Sequence, residues 1–458
     1  MADGLALKAR YEALGESNQL DEVFDVALGA GATAVFLDRP YVDFDYRSEL
    51  SHYYGRAFQP PPATTERLIF TSHSEIIGVS VIRPLPQPVG RTLLPPPADE
   101  ARYVTCLCEM PVHAFGYEWR VRGYPFSSQD GEYGVCAHAA IWSIARYHHL
   151  RFNTDRFTTS GIIEAAGLKE RPDKTARSDG LYGFDIVRAF RGIGLPALQY
   201  DIATIPVISK GTETAESVIR RYLNSGIPVG VLTIGHMLVV IGYGETSKGE
   251  TFYIVSDDNF SAYQRMERVS GDVADTWRML IVPQPGRMHV NGEAAAARAE
   301  EVFEDRLRAK VGPSHLLADL LNTSKRRFRF ESYATPSHTY LSGLAARDVP
   351  DALRDHHIYG PQGNWLWITE IHDTDASDAE RVIGEIAIDA TSRLHDPSPL
   401  FGNIDGWGYV WPPSESVPQV IQLVKGGAQY RSALADRSEQ PAAATVPKFE
   451  PYAGIPAD

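Results

Sequence analysis

The sequence predicts an α+β protein whose central region combines one long helix with a mainly antiparallel sheet. Two stretches carry this prediction. A polar, glycine-containing loop beginning at Ser128 runs into an amphipathic helix from about Cys136 to Leu150. Further along, an apolar, β-rich run from Gly235 to Gly244 is separated by a polar turn from residues 252–259, which are expected to form the returning strand. A short polar turn between two such runs indicates an antiparallel hairpin.

Similar mixtures of helix and strand are predicted on both sides of the central region. Short strand candidates separated by proline-rich loops precede it, and a helix at 294–310 followed by strands at 365–371 and 382–389 comes after it. The last residues are rich in proline and alanine and are expected to be disordered. The predicted regions are an N-terminal α+β region at 1–124, a central domain at 125–286, a C-terminal α+β region at 287–437 and a tail at 438–458.

Composition limits the classes of protein that this chain can belong to. The chain has 458 residues, a hydrophobic content of 43% and a net charge of −14. The acidic balance and the lack of long basic clusters argue against a nucleic-acid partner. Three cysteines do not make a disulfide framework. No signal peptide and no membrane-spanning run is predicted, so the expected location is the cytoplasm and no membrane partner is expected.

Cys136 is the first candidate for chemistry, because the predicted helix begins there. A helix N-terminus carries roughly half a positive charge, which stabilises a thiolate and lowers the pKa of a cysteine. Gln129 lies upstream in the same loop and offers a side-chain N–H, the kind of donor that an acyl transfer needs for its oxyanion. The alternative interpretation is that Cys136 is a small buried residue at a helix start.

A second stretch places an imidazole beside a carboxylate. If the hairpin is centred on Thr246 and Ser247, His236 falls opposite Asp257. A carboxylate in this position sets the tautomer of the imidazole and supports its protonated form. Successive strand residues point to opposite faces, so only Asp257 or Asp258 is expected to reach the ring, and a turn one residue looser would favour Asp258. In chain order the candidates are a nucleophile, a base and an orienting residue.

Taken together, these stretches resemble the papain-like cysteine peptidases, and especially the bacterial branch that trims bacteriocin leader peptides. The resemblance covers about a third of the chain, from roughly residue 125 to 285. Ala137 follows the cysteine where glycine is usual, and the Asp lacks its usual following proline. The matching pieces are Gln129 before Cys136, residues 180–187 leading into 192–195, residues 222–229, and Gly235-His236 with Asp257 after it.

The resemblance implies a papain-like domain and a cysteine hydrolase that cleaves a peptide or isopeptide bond in a protein or peptide substrate. Cys136 would attack the carbonyl, His236 would carry the proton, Asp257 would orient His236, and Gln129 would hold the oxyanion. No metal and no organic cofactor is expected. The oligomeric state and the identity of the substrate stay open.

Two other functions fit the same residues. The chain could be a non-catalytic binding module that keeps the papain fold, or a transglutaminase-like acyl transferase, which also uses Cys, His and Asp in that order. For the N-terminal region, a folding pro-segment is an alternative. Leader-type segments before papain-like domains tend to be helical, whereas this region is rich in predicted strands.

The other histidines of the predicted helix are assigned structural roles. His138 lies two residues after Cys136, about 200° around a helix, so it is expected in the core or in solvent. His148 and His149 come at the end of the helix, where a cation suits the helix dipole, and are interpreted as caps.

Metal binding is not predicted at the remaining cysteines and histidines. Cys106 and Cys108 share one face of a predicted strand, and no second pair supplies the other ligands of a zinc site, so both are expected to be buried. His372 lies beside Asp373 and Asp375, but the spacing matches no known cage, and this segment and the pair His356-His357 are interpreted as solvated loops.

Overall fold

The structure, a computed structural model, shows a mixed α+β protein with several antiparallel sheets. It describes residues 18–55, 58–73, 75–129, 136–167, 181–209, 213–267, 276–307, 328–345, 363–374, 381–393, 399–404, 407–410 and 419–422. The chain forms two compact units, one of residues 1–295 with 332–335 and 390–395, and one of the remaining residues. The predicted boundary between residues 124 and 125 falls inside the first unit. The predicted tail at 438–458 lies outside the described residues.

The N-terminal part of the first unit contains a four-stranded antiparallel sheet and a hairpin. The sheet follows chain order, β1-β2-β3-β4, and the hairpin β5-β6 turns at Phe115 and Gly116, which both have positive φ. Strand β5 includes Cys108 but not Cys106, so the strand that was predicted to carry both cysteines begins later than expected. The elements are α1 Asn18–Gly29, β1 Ala34–Tyr41, α2 Phe44–Glu49, β2 Thr65–Ser72, β3 Glu75–Ile82, β4 Val89–Leu93, β5 Cys108–Ala114 and β6 Tyr117–Gly123.

The rest of the first unit contains several helices and a six-stranded antiparallel sheet. The strand order is β11-β10-β9-β8-β12-β7, so the last strand in sequence lies between two earlier ones. Helix α3 contacts both β9 and β5. The elements are α3 Cys136–Phe152, α4 Thr159–Ala165, α5 Gly183–Gly192, β7 Ala197–Asp201, α6 Ile205–Ile208, α7 Ala215–Asn224, β8 Val229–Leu232, β9 Met237–Glu245, β10 Thr251–Ser256, β11 Gln264–Glu267, β12 Met279–Pro283 and α8 Gly292–Glu301.

The β9-β10 hairpin has a longer turn than the sequence suggests. Glu245 pairs with Thr251, and a bulge later brings Val239 opposite Ser256. The turn spans residues 246–250 and is closed by a hydrogen bond from Thr246 N to the carbonyl of Glu250. The prediction of a turn centred on Thr246 and Ser247 is wrong, because a turn of two residues was assumed. Extending the observed pairing would place Asn259 opposite His236.

Backbone contacts join the N-terminal region to the six-stranded sheet. The main-chain N–H groups of Thr105 and Cys106 both donate to the carbonyl of Ile241, at 3.1 and 3.0 Å. Gly242 beside them pairs with Val104, and any side chain at that glycine would clash with the carbonyl of Tyr103. Residues before 125 therefore complete the core of the sheet that carries the candidate site.

The second unit contains another six-stranded antiparallel sheet, in the chain order β13 to β18. The predicted strands at 365–371 and 382–389 are present. Two of this sheet's paired strands end at Ile404 and start again at Trp407. Strand β13 includes residues 332–335 of the first unit, and helix α8 ends among residues of the second unit. The elements are β13 Phe328–Pro336, α9 Ser337–Ala345, β14 Trp365–Asp373, β15 Arg381–Asp389, β16 Pro399–Ile404, β17 Trp407–Val410 and β18 Gln419–Gln422.

Across the part of the chain that the structure describes, no helix is both long enough and apolar enough to cross a membrane.

Candidate active site

His236 sits at the entrance to strand β9. Gly235 before it has φ of +79°, a conformation that glycine adopts at little cost, and the carbonyl of His236 accepts a hydrogen bond from Thr233 N at 2.9 Å. This tight loop places His236 at the end of the sheet. Its side chain is 21% exposed, so the ring is reachable from solvent.

Asp257 meets the imidazole from the end of strand β10. The strand ends at Ser256, and the chain then turns, with Asp257 N donating to the carbonyl of Ser261 at 3.0 Å. One carboxylate oxygen, Oδ1, lies 2.9 Å from His236 Nε2. The predicted contact between the two residues is therefore present. The turn produces it, however, and not the predicted strand register.

Asp258 also approaches the ring, which the alternation of strand side chains did not predict. Its Oδ1 lies 3.8 Å from His236 Nε2, and its side chain is buried. Neither carboxylate oxygen has a hydrogen-bond partner among the described residues. Burial raises the pKa of Asp258 to about 7; the charge of Asp257 raises it too, while His236 lowers it. The prediction that only one Asp reaches the ring is wrong, because both lie in a turn.

Asn259 is a site residue that the sequence did not reveal. Its side-chain Nδ2 lies 3.3 Å from His236 Nε2 and 3.5 Å from Nδ1. Its backbone N–H donates to Asp257 Oδ1 at 3.0 Å, which holds that carboxylate in the turn. The only local signal was a third polar residue after the strand, which is common in turns without any function.

Gln129 joins the same cluster through Asn259. Its Nε2 donates to Asn259 Oδ1 at 3.2 Å. An amide group has two N–H donors, so a second donor remains for another acceptor. Gln129 and His236, which are more than a hundred residues apart in sequence, are thus connected through one side chain. The predicted position of Gln129 beside the Cys136 thiol stays a prediction, because that thiol lies outside the described residues.

Arg83 holds the loop that carries Gln129. Its guanidinium Nη2 donates to the carbonyls of Ser128 and Gln129, both at 3.0 Å, and Nη1 pairs with Glu49 Oε2 at 3.0 Å. The arginine side chain is buried, so these charge-assisted bonds act at low dielectric. Nothing in the local sequence indicates this role, because Arg83 follows strand β3 and lies 46 residues before Gln129.

Helix α3 begins at Cys136, as the sequence predicts. The loop at 130–135 and the side chain of Cys136 lie outside the described residues. The structure therefore gives the helix start as the position of the candidate nucleophile and assigns no contact to the thiol.

Two of the other histidines of helix α3, His138 and His148, are buried. Burial lowers the pKa of His138 to about 4 and that of His148 to about 3. His138 was expected in the core or in solvent, and it lies in the core. The interpretation of His148 as a cationic cap is wrong, because the helix continues to Phe152 and the His148 side chain is fully buried. His149 Nδ1 lies 2.6 Å from the carbonyl of Thr154.

The remaining cysteines and the His372 segment lie outside the candidate site. Cys106 and Cys108 are buried, as predicted, and burial raises the pKa of each thiol to about 12. His372 and Asp373 are buried on strand β14, so their interpretation as a solvated loop is wrong. His356-His357 and Asp375 fall outside the described residues.

One group of side chains in the described part of the chain has the composition of a metal site. Donor atoms of His236, Asp257 and Asp258 all lie within 4.8 Å of one another. One imidazole and two carboxylates suit a transition metal such as zinc.

No protein-family model matches this chain, and no curated protein sequence matches it either.

Proposed function

We propose that the chain is a papain-like cysteine hydrolase that cleaves a peptide or isopeptide bond through Cys136, His236, Asp257 and Gln129. One observation carries the proposal: His236 Nε2 lies 2.9 Å from a carboxylate oxygen of Asp257. A second contact supports it, since the Gln129 amide reaches the same cluster through Asn259. Together these groups are the base, its orienting group and an oxyanion donor on three separate segments. Helix α3 supplies the candidate nucleophile at its first residue.

The first chemical step uses the two imidazole nitrogens differently. Nε2–H donates to Asp257, so in the neutral ring Nδ1 carries the lone pair that accepts a proton. Nδ1 takes the proton of the Cys136 thiol, and the thiolate attacks the substrate carbonyl to form a C–S bond. Asp257 stabilises the imidazolium that results. The backbone N–H of Cys136 and the second N–H of Gln129 donate to the oxyanion.

The later steps return the enzyme to its starting state. The tetrahedral intermediate collapses, the C–N bond breaks, and His236 gives its proton to the leaving amine. The remaining thioester is attacked by water, which loses a proton to His236. The C–S bond then breaks and His236 returns its proton to the sulfur, which releases the carboxylic acid and restores the Cys136 thiol. No other co-reactant is needed.

The reactivity of the three cysteines tests the nucleophile directly. Full-length protein is treated with iodoacetamide at pH 7, and each cysteine peptide is followed by mass spectrometry. Cys136 should be alkylated fast and Cys106 and Cys108 slowly, because burial keeps those two thiols protonated. Equal rates for all three thiols would favour the binding-module alternative.

Hydrolysis is tested on a library of peptides, with new amino termini as the readout. Cys136→Ala should abolish cleavage, whereas Cys106→Ala should retain it and serves as the matched control. Full activity of Cys136→Ala would end the cysteine-hydrolase proposal. Transfer of the acyl group to an added amine, in place of water, would instead indicate the transglutaminase-like alternative.

A further inference from the structure

The carboxylates at His236 are arranged closely enough to share one metal ion. Asp257 Oδ1 lies 2.9 Å and Asp258 Oδ1 3.8 Å from His236 Nε2. In a tetrahedral zinc site with metal–ligand bonds of about 2.05 Å, neighbouring donor atoms are about 3.4 Å apart. The two separations from His236 Nε2 lie within about half an ångström of that value, and all three donor atoms lie within 4.8 Å of one another.

Asp258 supplies a second and independent reason to consider an ion. The residue is 5% exposed, and both of its carboxylate oxygens lack a hydrogen-bond partner among the described residues. A buried carboxylate without hydrogen bonds is costly, because water is lost and nothing replaces it. The proposed hydrolysis uses Asp257 and assigns no role to Asp258. A cation between the two carboxylates would compensate that buried group.

We propose that His236, Asp257 and Asp258 form a binding site for one Zn²⁺ ion, and that the ion switches off hydrolysis. A mixed nitrogen and oxygen donor set suits zinc, whereas Ca²⁺ and Mg²⁺ prefer oxygen donors alone. The His236 side chain is 21% exposed, so an ion could reach the three donors from solvent. Binding depends only on these three side chains; the inhibitory effect also rests on the proposed hydrolase function.

Inhibition follows from the proton balance of the imidazole. Zinc coordinates through the lone pair of Nε2, so the single proton of the neutral ring must move from Nε2 to Nδ1. Nδ1–H then has no lone pair to accept the proton of Cys136. The same ion withdraws Asp257 from the ring. One ion thus removes both the base and its orienting group.

Binding is measured on full-length Cys136→Ala protein, so that neither the thiolate nor catalysis contributes. Metal-free protein is titrated with ZnCl₂ in a calorimeter, first as the Cys136→Ala parent and then with Asp258→Asn added. The parent should bind one ion at its highest-affinity site, and Asp258→Asn should lower the affinity of this tight class of sites at least about tenfold. Asp155→Asn removes an exposed carboxylate elsewhere and should bind like the parent.

Two results would overturn the site: a parent without a saturable tight class, or the same affinity in Asp258→Asn as in the parent. Because a buried substitution can disturb folding, His236→Ala is measured as a second variant, and it too should lose the tight class. Retention of that class in His236→Ala would also overturn the site. These outcomes do not depend on whether the protein hydrolyses peptides.

The switch is tested separately on the active protein. Zn²⁺ should inhibit cleavage, EDTA should restore it, and Asp258→Asn should need at least about ten times more zinc for half-inhibition. Inhibition that is unchanged in Asp258→Asn would mean that zinc acts elsewhere, and would overturn the switch even if the calorimetric site stands.

Discussion

At the scale of single residues, two neighbouring carboxylates at one imidazole have different surroundings. Asp257 Oδ1 is 2.9 Å from His236 Nε2 and is held by the backbone of Asn259, whereas Asp258 lies 3.8 Å away. We therefore expect Asp257→Asn to mis-set the imidazole tautomer. The same change in a serine triad costs about 10⁴ in turnover, and the loss here is expected to be smaller, because papain-like sites with a native Asn are active.

The measurement is the turnover of Asp257→Asn and Asp258→Asn on one peptide substrate in the presence of EDTA. Asp258→Asn should lose less activity than Asp257→Asn, because its carboxylate makes no hydrogen bond to the ring. A larger loss in Asp258→Asn would make Asp258 the orienting residue.

Gln129 is the second residue whose role can be separated by experiment. Removing one oxyanion donor costs about 10²–10³ in rate, so Gln129→Ala should lower turnover by that factor. Gln129→Glu keeps the size of the side chain but removes its N–H donors, and should lose as much. Iodoacetamide has no oxyanion, so alkylation of Cys136 should continue in both variants. If alkylation also fails, Gln129 is structural.

At the scale of elements, the end of strand β3 determines where the Gln129 loop lies. Arg83 donates to two carbonyls of that loop and to Val89, while Glu49 neutralises its charge. Lysine has a single nitrogen and cannot contact the loop carbonyls and Glu49 from two nitrogens, as Nη2 and Nη1 of Arg83 do. Arg83→Lys should therefore lower the turnover through displacement of Gln129.

A double-mutant cycle distinguishes this positioning role from a general loss of stability. In a Gln129→Ala background, Arg83→Lys should cost little further turnover, because the group it positions is already gone. A loss of turnover that is equal in both backgrounds would show that Arg83 acts on the whole fold and not through Gln129.

The buried His148 of helix α3 should make the free energy of unfolding fall at low pH. His148 is fully buried, and burial lowers its pKa from 6.5 in the unfolded chain to about 3. Below pH 6.5 the unfolded state binds a proton that the folded state refuses, so the free energy of unfolding falls by about 1.4 kcal/mol per pH unit from this group. The stabilisation is complete above pH 6.5 and is lost as the pH falls towards 3.

Urea unfolding between pH 4.5 and 7.5 measures this effect. His148→Leu should show a shallower fall of the unfolding free energy below pH 6.5, because it cannot bind that proton. His149→Leu is the control, since His149 is only partly buried and should leave the slope close to that of the parent. Equal slopes in the parent and His148→Leu would contradict the assignment of a neutral buried imidazole.

At the scale of the whole molecule, the N-terminal region belongs to the same compact unit as the candidate site. Tyr263 in the site-bearing half donates to the carbonyl of Leu94 and accepts from Tyr124 N, both at 2.7 Å. Gln19 also donates to the carbonyl of Asp258 at 2.7 Å. Removal of residues 1–124 should therefore leave a chain that aggregates or unfolds without cooperativity. A stable and active fragment 125–458 would instead support the pro-segment alternative.

The sequence by itself determined the helix that starts at Cys136, the β-rich hairpin after His236 and the buried state of Cys106 and Cys108. These follow from local periodicity and composition, which act over a few residues. It also predicted that His236 and Asp257 meet, although from a wrong register. Local pattern could not distinguish a turn of two residues from one of five, because several turn geometries suit the same polar residues.

Only the tertiary structure decided which distant groups join the site. Arg83 reaches Gln129 across 46 residues, Asn259 bridges Gln129 and His236, and Asp258 turns inward beside Asp257. It also made His148 a neutral core residue instead of a cap. Each of these depends on which surfaces pack together and on how much water is removed, and both are properties of long-range contacts that no short stretch of sequence contains.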